Sequence, residues 1–141
     1  MITDIASLAV GNWVYCQQNG KPEKIAAILE NGMVMLDYND VYSLDEIYGL
    51  PILGKQFADA GFKHTNYIEG HMRKRDVAHT AYSLLLENGA VVATVDFANG
   101  IFNEIELFGN CHVVARGREI RYFHQIQNAF SLCGIKIEFK L

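Results

Sequence analysis

Short apolar runs alternate with turn dipeptides along most of this chain. Four Asn-Gly pairs, Asn19-Gly20, Asn31-Gly32, Asn88-Gly89 and Asn99-Gly100, each lie between two runs rich in β-forming residues. A two-residue type I′ hairpin needs positive φ at both central residues. Asn tolerates that conformation and Gly adopts it freely. The pattern therefore predicts a chain built mostly from antiparallel hairpins. In the first half, Trp13 to Gln17, Met33 to Tyr38 and Val41 to Leu44 read as strands. Lys24 to Leu29 alternates poorly, so either a strand or a helical turn fits it. Several short strands joined by tight turns predict a small barrel-like unit or a bent sheet.

Leu50-Pro51 interrupts this pattern, and Lys55 to Ala60 reads as a short helix stopped at Gly61. Beyond it, Tyr67-Ile68, Tyr82 to Leu86, Val91 to Phe97, Ile101 to Phe108 and Val113-Val114 read as strands of a second sheet. The continuous run Leu84-Leu85-Leu86 predicts burial on both faces, hence a covering layer. Ile120, Phe123, Ile126, Phe130 and Cys133 recur every three or four residues. That spacing predicts a long amphipathic helix over 119–133, ended by Gly134. Ile135, Ile137 and Phe139 alternate with Lys136, Glu138 and Lys140, which predicts a half-buried strand returning to the sheet. The expected class is α+β, in a single domain with sub-lobes at about 1–50 and 51–141.

Composition adds boundaries. The chain has 141 residues, half of them apolar, and a net charge of −4. It reaches no run of membrane-spanning length and starts without the charged n-region of a secretory signal, so a cytoplasmic location and no membrane partner are expected. Residues 1–62 carry 3 Lys/Arg against 8 Asp/Glu, whereas 63–141 carry 9 against 8. That is far from the basic excess of a dedicated nucleic-acid binder. Cys16, Cys111 and Cys133 form an odd set without paired spacing and read as reduced, buried side chains.

Three segments carry a family resemblance. Val10 to Val14 resembles an "IGNWV" opening. Ile47 to Phe62 is similar to a stretch of the form I-x-G-I-P-L-T…GF. Tyr122 to Asn128 resembles "YVHQLQN", followed by Leu132-Cys133-Gly134. Together they resemble an uncharacterised family of small proteins of gut-dwelling bacteria and their phages. The resemblance implies a shared fold and a phage or mobile-element setting, and supplies no activity. Leu53-Gly54 stands where the family carries Thr and an acidic residue, which implies a shorter or irregular middle helix. Cys133 replaces the family's usual Thr.

Candidate chemistry is sparse. Arg121, His124, Gln125 and Asn128 share one side of the C-terminal helix at i, i+3, i+4 and i+7. They suit a small anionic ligand gripped by Arg and oriented by His and Asn, or a small enzyme centred on Arg121 and His124. The same side chains can instead tie helix to sheet by satisfying backbone groups, and this reading carries more weight. His71 to Arg75 is the densest basic segment. Its Arg73, Lys74 and Arg75 could meet nucleic-acid phosphates, though a solvated loop is the favoured reading and no recognition motif accompanies them. Cys111-His112 points to opposite strand faces and makes a poor chelate, so no metal or cofactor is expected. Neither a nucleophile elbow nor a P-loop occurs, and no catalytic residue is assigned. Glu104 and Glu106 share one strand face, read as the solvated one. Tyr38, Tyr42 and Tyr48 could form a sticky surface or fill half-buried strand positions. The expectation is a non-enzymatic binding or interaction protein, a phage or mobile-element accessory holding a protein partner or a small anionic ligand. Its sheet edges would permit a homo-oligomer.

Overall fold

The computed structural model describes residues 7–18, 20–37, 40–71 and 74–141, with 69–71 and 74–76 described by their backbone alone. The chain divides into two compact units. The first takes in the chain up to Pro51 together with Arg121–Asn128 and Leu141. The second takes in Ile52–Ile120 and Ala129–Lys140. Among the described residues no helix is long and apolar enough to cross a membrane.

The first unit is an antiparallel sheet of β1 (Trp13–Cys16), β2 (Pro22–Ile28), β3 (Val34–Leu36), β4 (Val41–Tyr42) and β5 (Ile47–Gly49), in the order β4-β3-β2-β1-β5. It is an open sheet, not the barrel-like unit expected. The strand β5, missed in the sequence, pairs Cys16 with Ile47 at one end of the array. Of the segment 24–29, all but Leu29 belongs to strand β2. A register shift between Ile25 and Ala27 spoils its alternation, because a bulge moves successive side chains out of the two-residue period. One face is apolar: the opposed pairs Cys16–Ile47, Ile25–Leu36 and Val34–Tyr42 are all buried. Tyr42 is thus a core residue rather than part of a surface patch. Tyr48 stacks on its cross-strand neighbour Tyr15 at 5.4 Å, while Tyr38 lies outside the described residues.

The second unit holds α1 (Gly54–Asp59) and a five-stranded antiparallel meander. Its strands are β6 (Lys63–His71), β7 (Lys74–Leu85), β8 (Val91–Ala98), β9 (Ile101–Phe108) and β10 (His112–Arg116). The side chain of Gln56 accepts the Leu53 N–H at 2.9 Å, so α1 starts without the Thr and acidic pair that the resemblance led one to expect. One sheet face is lined by Ala93, Val95, Phe97, Ile105 and Leu107. Phe57 meets Phe97, Tyr82, Phe62 and Phe139 there at centroid distances of 5.4 to 6.2 Å. The run Leu84-Leu85-Leu86 is not covered on both sides. Leu85 is 36% and Leu86 52% exposed, because the run sits at a strand end beside the turn.

Among the described residues, only Asn99-Gly100 adopts the expected double-positive turn, with φ of 50° and 80°. At Asn31-Gly32 and Asn88-Gly89 the glycine alone is left-handed. There the Asn oxygen accepts an N–H two residues on, from Met33 and from Ala90, each at 3.0 Å. Leu29 with Met33, and Leu86 with Ala90, close three-residue loops instead of two-residue ones. Asn19 lies outside the described residues.

The C-terminal helix α2 spans Phe123–Leu132, shorter than the predicted 119–133. The Gln125 side chain accepts the N–H groups of Arg121 and Tyr122 at 2.8 and 2.9 Å, and the Phe123 N–H donates to the Leu50 carbonyl at 2.9 Å. Those bonds set the helix start later than its apolar stripe implies. Gly134, at φ 70°, and Ile135 donate back to Ser131 and Phe130, a Schellman stop. The tail 135–140 keeps the expected in–out alternation but forms no ladder. Phe139 instead packs on Phe57, Phe62 and Phe130, so side-chain burial holds the segment without strand pairing.

Candidate functional site

The second sheet's other face carries polar residues, and strand register gathers them. Tyr67 lies opposite His79, Ala81 opposite Asp96, and Asp96 in turn opposite Glu104. Thr94 opposes Glu106 one step along. The register shifts between Asp96 and Phe97. This β-bulge makes Asn103 the extra residue of β9 and turns its side chain towards Asp96.

Asp96 sits at the centre. Its carboxylate accepts from His79 Nδ1 at 2.8 Å, Asn103 Nδ2 at 2.9 Å and the Tyr67 hydroxyl at 3.2 Å. The His79 side chain is 6% exposed and that of Asp96 12%. Because a carboxylate only accepts, Nδ1 is the protonated ring nitrogen. The Tyr67 ring stacks on His79 at 4.7 Å and 7°. Around this group lies a cleft of about 300 Å³, lined by Tyr67, His79, Ala81, Thr94, Asp96, Asn103, Glu104 and Glu106. The lining holds three carboxylates and no Lys or Arg. Among the described residues no group of three or more His, Cys, Asp and Glu side chains is placed to hold a metal ion.

The residues singled out in the sequence lie elsewhere. Arg121 precedes α2 and is exposed. His124 is 1% exposed, its ring stacks on Tyr122 at 5.8 Å, and its Nδ1 is buried without a hydrogen-bond partner. Burial lowers its pKa to about 4, so the ring is neutral at neutral pH. The Gln125 oxygen caps the helix start. Asn128 accepts from Asn12 Nδ2 and donates to the Ser7 carbonyl, both at 2.8 Å. Gln127 accepts the Trp13 N–H at 2.7 Å. These bonds join α2 to the loop before β1 within the first unit. Asn128→Ala leaves the Asn12 amide and the Ser7 carbonyl without these bonds. It is expected to cost about 1–3 kcal/mol, read as a lower urea midpoint with an unchanged m-value. The basic segment spans the end of β6 and the start of β7. Arg73 and the side chains of Lys74 and Arg75 lie outside the described residues.

Sequence reasoning missed His79, Asp96, Tyr67 and Asn103 as a group. The local pattern hid them: Thr94 and Asp96 alternate with Ala93, Val95 and Phe97, so alternation places Asp96 on the polar face without showing that it is covered and needs donors. Which donors depends on register across four strands. No protein-family model, no curated protein and no solved structure matches this chain.

Proposed function

We propose that this is a binding protein that holds a small cationic ligand, an amine or a guanidinium, in the cleft around Asp96. The observation that carries the reading is the sign of the lining: Asp96, Glu104 and Glu106 line a cleft that holds no Lys or Arg, while Arg116, opposite Glu104, and His112, 3.8 Å from Glu106, stand outside the lining. A cation placed there gains charge-assisted bonds to carboxylates already oriented by Tyr67, His79 and Asn103. The volume sits at the small end of ligand sites. This reading keeps the binding role expected from the sequence. It changes the ligand's charge and moves the site from α2 to the sheet. The resemblance to gut-bacterial and phage proteins supports a setting in a mobile element and adds no activity.

The test is a backbone amide NMR titration with putrescine and agmatine, and with inorganic phosphate as the anionic comparison. The amines are expected to shift the resonances of Tyr67, His79, Asp96 and Asn103, while phosphate leaves them in place. Asp96→Asn should raise Kd at least tenfold, about 1.4 kcal/mol. Glu104→Gln, a rim change that leaves the Asp96 bonds intact, should weaken binding several-fold. Shifts produced by phosphate alone, or amine binding indifferent to both variants, would sink the proposal.

A further inference from the structure

The three cysteines are not all buried, contrary to the expectation from sequence. Cys16 and Cys133 are buried, but Cys111 is exposed. Its Sγ lies 3.1 Å from Cys133 Sγ although the two residues stand 22 apart in the chain. The backbone holds them together. The Asn110 N–H donates to the Cys133 carbonyl at 2.7 Å, and the Gly109 N–H donates to the Cys111 carbonyl at 3.2 Å. The approach is so close that a Cβ at position 109 would lie 2.1 Å from the Cys133 oxygen, so only glycine fits there. The loop between β9 and β10 is therefore seated on the last turn of α2, and both sulfurs belong to the second unit.

We propose that Cys111 and Cys133 are a redox pair that closes to an intramolecular disulfide under hydrogen peroxide and reopens under a dithiol reductant. The sulfurs stand about 1 Å beyond a disulfide bond length of roughly 2.04 Å, a distance that rotation about the side-chain bonds can close. Exposure makes Cys111 the attacking sulfur. Its thiolate displaces hydroxide from peroxide and becomes a sulfenic acid, and the hydroxide takes up a proton as water. The Cys133 sulfur then bonds to the Cys111 sulfur, and the Cys111 hydroxyl leaves as a second water with the Cys133 proton. Two thiols lose two electrons and one peroxide is reduced to two waters. Burial raises the Cys133 pKa to about 11, so this partner keeps its proton until the condensation step. The odd count hid the pair, because Cys16 belongs to a different core.

The experiment exposes the native protein to a slight molar excess of hydrogen peroxide, then denatures and alkylates it. Before oxidation all 3 cysteines should alkylate. Afterwards one should, with the mass lower by two hydrogens before alkylation and a proteolytic fragment joining Cys111 to Cys133. The crosslinked protein should show a higher denaturant midpoint that returns to the reduced value with dithiothreitol. Cys111→Ser, a change at an exposed position, should abolish the crosslink and keep the native circular dichroism spectrum. Three alkylated cysteines after peroxide, a dimer linked through Cys111, or Cys111 advanced to sulfinic acid with Cys133 still free would each overturn the proposal.

Discussion

Replacing Phe57 with alanine is expected to cost about 3–5 kcal/mol, a large part of the stability of a domain this size. Phe57 is fully buried, and its ring meets those of Phe62, Tyr82, Phe97 and Phe139. It is the contribution of α1 to the core of the second unit. Truncation removes the transfer free energy of the ring. It also leaves a cavity among four aromatic neighbours that cannot all move in to fill it. Guanidinium unfolding of Phe57→Ala beside Leu132→Ala measures the effect. Leu132 is 72% exposed, and its truncation should stay within about 0.5 kcal/mol of the parent. Equal losses in the two variants would contradict the aromatic cluster described here.

Acid should destabilise the protein through His124. Burial lowers the pKa of this ring from its ordinary 6.5 to about 4. The unfolded chain therefore binds a proton at higher pH than the folded one does. The sign follows: stability falls as pH drops through 6.5 and stops falling on this account near 4. At 1.36 kcal/mol per pKa unit the loss comes to about 3 kcal/mol across that window. Urea midpoints at closely spaced pH values measure it. His124→Phe keeps a ring against Tyr122 and removes the proton, so the variant should lose this part of the slope. Nδ1 makes no hydrogen bond, so removing that atom strands no partner. A His124 ring that titrates near 6.5 by NMR in the folded protein would contradict the account.

The local architecture was readable because it depends on short-range chemistry. Phe123, Ile126, Phe130 and Cys133 are all buried, as their spacing predicts. The helix nevertheless begins later than its stripe, because the Gln125 side chain and the Leu50 carbonyl take up the N–H groups at its start. The strand β7 runs from Lys74, while only Tyr82 to Leu86 looked like a strand. Its first half opens on three charged residues and has Val77 and Ala78 adjacent rather than alternating, yet it pairs with β6 through the register of Tyr67 with His79. The same limit concealed the cleft. Tyr67, His79, Asp96 and Asn103 come from four strands, and the last arrives only through a bulge.

The amino-acid order alone determined where the chain turns, which strand faces are apolar and where the last helix stops. Each of these follows from the φ preference of one or two residues or from the side-chain period of one element. Tertiary structure alone decided that the first sheet stays open, that Asp96 gains three donors, and that two cysteines 22 positions apart come within 3.1 Å. Those outcomes depend on register and on backbone contact between distant segments. A shift of a single residue exchanges the two faces of a strand, so no local pattern encodes which side chains meet across it.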